Sequence, residues 1–265
     1  MLLLLERGYA VIGIGSRKES VAKAMAMIGD RHPDSDCIML AADLSSLKET
    51  KATCERIAKL LDADHSGRLT ALINNAGGVR LHFSLTGEGL ETQFALNHLS
   101  GFLMSFLLLK YLKDGKIIFT TSRSHRWMKI YWHDLMLEKS YNLLKAYKQT
   151  KLANVMTAQA FRKHFASRGV VAYAVDPGLV RTDIGNKHLS GLAEWIWNWR
   201  KRKGADPAVP AKTYLYLLES DDALGLVYKD SREIPHNRHA DRDEEVERLF
   251  LTSAKLVGID PNDYQ

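Results

Sequence analysis

The chain has 265 residues, 46% of them hydrophobic and 26% charged, enough to bury the core of one domain. Two cysteines, Cys37 and Cys54, are too few for a disulfide framework and too far apart for a Cys-x-x-Cys site, which points to a reducing, cytoplasmic setting. The net charge of +6 raises the question of nucleic acid, but the basic residues are dispersed apart from Trp199-Arg200-Lys201-Arg202-Lys203. No nucleic-acid motif accompanies them, so the excess reads as serving solubility or anionic small molecules.

In chain order, Met1-Leu2-Leu3-Leu4-Leu5 is apolar but ends at Glu6-Arg7, too short for a signal core or a membrane span. Short β-rich runs then alternate with helical patterns. Tyr9–Ile14 is continuously apolar, as a strand buried on both faces should be. Ser20–Arg31 follows as a helix, Cys37–Ala41 as a strand running to Asp43-Leu44, and Ser46–Leu61 as a helix. Leu69–Ile73 is a strand that runs into Asn74-Asn75-Ala76-Gly77-Gly78. A helix over about Glu88–Leu112 leads to the strand Lys116–Thr121. The helix Leu144–Phe165 precedes the strand Val170–Val175, which ends in Asp176-Pro177-Gly178. Leu226–Tyr228 is a last strand before the helix Glu244–Val257. This alternation predicts a single-domain α/β fold with a doubly wound parallel sheet, whose ligands bind beyond the carboxyl ends of the strands.

Tyr147 and Lys151 sit one turn apart on a helix face. An ammonium beside a phenol favours the phenolate and draws the tyrosine pKa from about 10 toward neutrality, so the pair suits proton exchange with an alcohol or carbonyl oxygen. Ser16-Arg17, Asp43, Asn74–Gly78, Ser122 and Pro177-Gly178 each follow a strand, so they gather along one sheet edge with Tyr147.

In Asp43-Leu44, Asn74-Asn75-Ala76-Gly77, Asn97-His98-Leu99, Ser122, Tyr147-xxx-Lys151 and Pro177–Thr182, in that order and spacing, the chain resembles the short-chain dehydrogenases/reductases. The resemblance runs from about Leu4 to Ile259 and is nearest the retinol-dehydrogenase-like branch. It implies a Rossmann-like fold and hydride transfer between a nicotinamide and a carbonyl or alcohol. Tyr147 would be the general acid or base, Lys151 would tune it and bind the nicotinamide ribose, and Ser122 (Ser124 as fallback) would polarise the substrate oxygen. Asn97 would hold a water in a proton relay to Lys151. For the cofactor, Asp43 would bind the adenine, with Leu44 beside it. Asn74, Ala76 and Gly77 would let the backbone approach the adenosine ribose, and Pro177, Gly178, Val180 and Thr182 would shape the nicotinamide site. Ser16-Arg17-Lys18 ends the Tyr9 strand where NAD use would call for an acidic residue. A guanidinium there suits a 2′-phosphate, so NADP is preferred, with NAD the alternative.

One departure stands out. The family's opening strand and Gly-rich turn, which cradle the pyrophosphate at a helix N-terminus, do not precede Leu2–Gly8, which looks like the end of the first helix. Gly13-Ile14-Gly15 ends the second strand and is a decoy. The missing strand would be central, leaving a gap of roughly 10 Å with an unpaired edge on each side. The expectation is a reading frame that starts late by about twenty to twenty-five residues, the length of one strand-turn-helix unit.

Residues 183–213 correspond to the variable substrate lid. Trp195, Trp197 and Trp199 there fit a cover over an apolar substrate, a membrane-surface contact or a helix packed on the body or a partner subunit. The apolar Phe102–Leu109 stretch fits the homo-oligomers common in the family. Ten histidines show no metal-binding spacing, and no metal is expected. The reading is an NADP-dependent carbonyl reductase or alcohol dehydrogenase. Its alternative is a truncated, non-catalytic relative that senses nucleotides or binds a partner.

Overall fold

The computed structural model of the chain describes residues 1–64, 67–180 and 205–264. The elements are α1 (Leu2–Glu6), β1 (Val11–Gly15), α2 (Lys18–Arg31), β2 (Cys37–Ala41), α3 (Leu47–Asp64), β3 (Ala71–Asn74), α4 (Thr92–Phe94), α5 (Ser100–Leu107) and β4 (Lys116–Thr120). After these come α6 (Leu143–His164), β5 (Val171–Val175), α7 (Ala208–Glu219), β6 (Val227–Lys229), β7 (Arg232–Glu233) and α8 (Asp243–Val257). The expected alternation is present, with boundaries shifted by a few residues. Two pieces are additions. Helix α7 occupies the end of the expected lid, and β7 pairs antiparallel with β6 through Asp230 and Ser231, whose φ angles of 50° and 58° match a tight two-residue hairpin turn.

The helix termini explain several boundaries. Asn142 caps α6 by accepting from Leu144 N at 3.0 Å and Lys145 N at 3.1 Å. The carboxylate of Glu91 accepts from Gln93 N and Phe94 N at 2.8 and 2.7 Å, which starts the long helical run at Thr92 rather than near Glu88. That run passes through a π-turn at Ala95–Leu99 before continuing as α5. Helix α8 carries Asp243, Glu244 and Glu245 in its first turn and ends at Gly258, φ 69°, so its charges suit the helix dipole.

The sheet is in two pieces. Strands β1 and β2 pair parallel with Val11 opposite Cys37, and β3-β4-β5-β6-β7 form a separate five-stranded sheet. Among the described residues no strand joins the two sheets. The split corrects one expectation: β1 is apolar but only half-buried along its length, with β2 its one ladder partner among the described residues. Strand β3, paired among the described residues with β4 alone, is likewise half-buried. Helices bridge the gap. One apolar cluster joins Ile12, Ile14 and Leu40 of the small sheet to Leu72 of β3 through Met104, Leu108 and residues of α3. On the opposite side Leu4 of α1 packs near Ala71, Ile73 and Tyr214.

The larger sheet carries the main core. Phe102, Phe106, Phe161 and Phe250 are fully buried, with the Phe106 and Phe161 ring centroids 5.0 Å apart and nearly edge-to-face, a favourable aromatic geometry. Among the described residues no helix is long and apolar enough to cross a membrane.

The split predicts uneven protection. In amide hydrogen exchange, β4 and β5, paired on both sides and fully covered, should exchange slowest, while β1 and β2 exchange at least tenfold faster through local opening. Equal protection across both sheets would show that the helices alone make one cooperative unit.

Candidate active site

The chemistry gathers at the carboxyl end of β4. Lys151 is 3% exposed, and its Nζ donates to the carbonyl oxygen of Thr120 at 3.0 Å. The same Nζ lies 5.5 Å from the centroid of the Tyr147 ring. Burial lowers the Lys151 pKa to about 8, which leaves about nine in ten molecules protonated at pH 7. The i, i+4 reading of the helix therefore brings ammonium and phenol together, with the cation itself destabilised by loss of water. Thr121 Oγ1 donates to the Lys151 carbonyl at 2.7 Å and ties α6 to the strand end.

Ser122 follows in extended backbone, and its hydroxyl accepts from Ser124 Oγ at 3.2 Å. The two candidate serines are thus one hydrogen-bonded pair. His125, fully buried, places its Nδ1 2.6 Å from the Ser122 carbonyl oxygen and fixes the turn from inside.

Asn97 sits in the π-turn. Its Oδ1 accepts from Gly78 N at 2.7 Å, and its Nδ2 donates to Gly78 O at 2.9 Å and Thr150 Oγ1 at 3.2 Å. A Cβ on Gly77 would lie 3.2 Å from Asn97 Oδ1 and 3.5 Å from Lys151 Nζ, so Gly77 keeps open the space where these groups converge.

Along the edge, Arg17 is the N-cap residue of α2 and is exposed, with Ser16 exposed beside it. The Oδ1 of Asp43 accepts from Ser45 N and Ser45 Oγ at 2.9 and 2.7 Å. Leu44 is 7% exposed and belongs to the core between the two sheets, so its side chain does not line the edge. Asn74 is also turned away: its Nδ2 donates to Ser105 Oγ of α5 at 3.0 Å. The asparagine that faces the edge is Asn75, exposed together with Ala76. Gly178 has φ +70° and donates its N–H to Asp176 Oδ1 at 2.9 Å; Pro177 precedes it, and Val180 bridges to Ala205. Thr182, and the tryptophans at 195, 197 and 199, lie outside the described residues.

Three further residues belong to the site. Tyr214 of α7 brings its hydroxyl 2.8 Å from Thr120 Oγ1 and 3.4 Å from Asn75 Oδ1, and burial pushes its pKa well above 10. Asn154, three residues after Lys151 on the same face, donates to both Thr120 O and Asn97 O at 3.0 Å. Asp176 keeps one buried carboxylate oxygen, Oδ2, without a hydrogen-bond partner. The spacing from Tyr147 and Lys151 could have singled out Asn154. Tyr214 carries no local signal, because its contact to Asn75 spans 139 residues.

A nicotinamide dinucleotide fits part of this edge. Lys151 has two N–H donors beyond its Thr120 bond, Gly77 leaves room beside it, and the unpartnered Asp176 Oδ2 offers an acceptor near Pro177-Gly178. The pyrophosphate end has no Gly-rich cradle among the described residues. Gly13 and Gly15 do not supply one: a Cβ on Gly13 would strike Met39 Sδ, and one on Gly15 would lie 2.9 Å from Val21 Cγ2. These glycines serve packing.

The family model described as short chain dehydrogenase matches residues 2–192. Retinol dehydrogenase 12 of Mus musculus is 32% identical over 233 residues, covering 85% of this chain and 71% of that protein. Retinol dehydrogenase 14 of Mus musculus is 30% identical over 264 residues, covering 96% and 77%. Among solved structures, a protein from Mycobacterium paratuberculosis aligns with a TM-score of 0.72 at 23% identity, over 97% of this chain and 87% of that one. An NADPH-bound carbonyl reductase from chicken fatty liver aligns at 0.60 and 18% identity, over 85% and 86%.

His98 ties the π-turn to the core and gives a stability test. It is fully buried, with Nε2 2.9 Å from Ser253 Oγ and Nδ1 3.3 Å from Asn154 Oδ1, and burial lowers its pKa to about 4. The unfolded chain binds this proton near pH 6.5 and the folded chain only near 4, so stability falls as pH drops from 6.5 to 4 and is level below. The shift corresponds to about 3 kcal/mol. Urea midpoints should show a smaller loss over that window in His98→Gln than in the parent; identical slopes would place the acid sensitivity elsewhere.

Proposed function

Since the chain belongs to the short-chain dehydrogenase family, we propose that it is an NADP-preferring oxidoreductase that interconverts an apolar alcohol and its carbonyl compound. The observation that carries this is the buried Lys151 ammonium held between Thr120 O and the Tyr147 ring. A bound nicotinamide dinucleotide would supply or accept the hydride. In reduction, Tyr147 gives its proton to the carbonyl oxygen as charge develops there, and the Lys151 cation stabilises the phenolate left behind. Ser122, supported by Ser124, donates a hydrogen bond to the same oxygen. Asn97 orders the floor below Lys151 through Gly78, and a water there would return the proton to Lys151. Oxidation runs through the same groups in reverse. The relatives named as retinol dehydrogenases support an alcohol with a long apolar body.

The dinucleotide would lie across the break in the sheet. Lys151, Asn75 and Gly77 would hold the nicotinamide ribose end, with Pro177, Gly178, Val180 and Thr182 around the ring. Asp43 and Arg17 would meet the adenosine end. The Arg17 guanidinium has no ion pair among the described residues, so it is available to a 2′-phosphate. A non-catalytic relative is not favoured. Holding an ammonium out of water costs stability, and a chain released from catalysis would have no reason to keep one at this position.

Two measurements test the reading. Tyr147→Phe should reduce carbonyl reduction by at least about a hundredfold, the scale of one lost general acid, while leaving NADPH binding by fluorescence titration unchanged. Retained turnover would exclude Tyr147 as the proton donor. Arg17→Ala should weaken NADPH by about tenfold or more, as loss of a charge-assisted hydrogen bond does, with little effect on NADH. Equal losses for both dinucleotides would remove the 2′-phosphate role.

A further inference from the structure

The turn that carries Ser122 has a second face. Residues 123–127 form a 3-10 helix, and beyond it opens a cleft of about 420 Å³ between this turn and the loop before α8. Its lining includes Arg126, Trp127, His236, Arg238, His239 and Arg242. The cleft is built by one side chain. Asn237, 6% exposed, donates from Nδ2 to the carbonyl oxygens of His125 at 2.7 Å, Arg126 at 3.2 Å and Met128 at 2.7 Å. Its Oδ1 accepts from His239 N at 3.0 Å. The two walls are therefore held in fixed relation rather than meeting by chance.

Charge in the cleft is only partly matched. His236 Nε2 is 2.8 Å from Asp241 Oδ1, while Glu245 takes both His239 Nδ1 at 2.6 Å and Arg242 Nη1 at 2.7 Å. Arg126 and Arg238 have no acidic partner among the described residues. The Arg126 guanidinium lies 5.9 Å from the Trp127 ring centroid, and Trp127 is 75% exposed, an unusual position for a large aromatic. Two unmatched guanidiniums beside an open indole offer a fork for an anion and a flat apolar rest for what the anion is attached to.

The cleft also lies close to the chemistry. Ser122 caps the 3-10 helix that carries Arg126, and four residues of such a helix separate the two backbones by about 8 Å. His125, fully buried, lies between them in the chain: its Nδ1 is 2.6 Å from the Ser122 carbonyl oxygen, and its own carbonyl accepts from Asn237 of the cleft wall at 2.7 Å.

We propose that this cleft binds the anionic group, a carboxylate or phosphate, of the small molecule whose carbonyl or alcohol reaches Ser122 and Tyr147. The inference deepens the oxidoreductase reading and rests on it: the substrate would have an apolar body and an acidic end, held by Arg126 and Arg238 against Trp127.

The test uses the full chain, the double variant Arg126→Ala/Arg238→Ala and the charge-preserving Arg126→Lys/Arg238→Lys. Phenyl phosphate binding is measured by calorimetry without dinucleotide. Reduction of 4-formylbenzoate and 4-methylbenzaldehyde by NADPH is measured as kcat/KM. Expected are phenyl phosphate binding that weakens at least tenfold in the alanine variant, and a preference for 4-formylbenzoate of about tenfold that the alanine variant loses. The lysine variant should keep part of both, and added salt should shrink both. The melting temperature should be unchanged, since neither arginine supports the core.

Phenyl phosphate binding that is undetectable, or equal in parent and alanine variant, overturns the proposal. Equal turnover of the two aldehydes by parent and variant also overturns it, while leaving the oxidoreductase reading intact. Arginine-dependent phenyl phosphate binding with neither aldehyde reduced supports the anion site and counts against the oxidoreductase reading. Sedimentation with phosphatidylserine vesicles that depends on the two arginines, without phenyl phosphate binding, makes a lipid surface the occupant and overturns the proposal.

Discussion

The site depends on one carbonyl oxygen. Thr120 O, at the end of β4, accepts from both Lys151 Nζ and Asn154 Nδ2 at 3.0 Å. Asn154 also reaches the carbonyl of Asn97, and Asn97 clamps Gly78 through both atoms of its amide. A buried polar chain thus links β4, α6, the π-turn and the loop after β3. In a region this dry each unmade bond would be expensive, so the members hold one another in place. The π-turn matters here because the extra residue it inserts changes the angular register of the following helix, which lets Asn97 face Gly78 while Phe102 and Phe106 still face the core.

That network is supported unequally on its two sides. The residues proposed for catalysis hang from the five-stranded sheet and the phenylalanine core beneath it. Arg17 and Asp43, proposed for the adenosine end, follow the strands of a two-stranded sheet joined to the rest through helices. Two strands alone are marginal in water, so this lobe owes its order to α3 and α5. Placement of the reacting groups is therefore insulated from the break, whereas dinucleotide affinity is not: a long ligand would have to span both bodies, and any relative motion between them would be felt as lost binding energy.

Much of this was legible in the sequence. Period and turn chemistry locate nearly every strand, because buried parallel strands leave short apolar runs between polar ends. The closeness of Lys151 to the Tyr147 ring could be read from their i, i+4 spacing, whereas Ser122 is singled out only by the resemblance of its Thr121–His125 surroundings to the family's motif. What escaped has physical reasons. Asn74 and Asn75 are chemically identical neighbours at a strand end, where alternation decides which faces inward, and a one-residue uncertainty exchanges them. The π-turn is invisible to apolar periodicity, since Ala95, Leu99 and Phe102 all read as core in either register. Leu44 adjoins a polar residue in sequence, but the turn after β2 points it into the core. Tyr214 and Asn237 reach their partners across the whole fold, and no local pattern encodes such pairs.

The turn after Ser122 joins these themes. Its inner side is fixed by His125, whose Nδ1 meets the Ser122 carbonyl, and its outer side by Asn237, which gathers three carbonyls of the same turn. A serine that must present its hydroxyl to a substrate oxygen needs a backbone that does not shift during the reaction. Two buried side chains from outside the turn, rather than its own sequence, supply that rigidity. The same clamp sets the position of Arg126 and Trp127, so the proposed carbonyl-polarising serine and the proposed anion cleft are held by one set of hydrogen bonds. A change at Asn237 would therefore disturb both at once, although it lies more than a hundred residues from Ser122 in the chain.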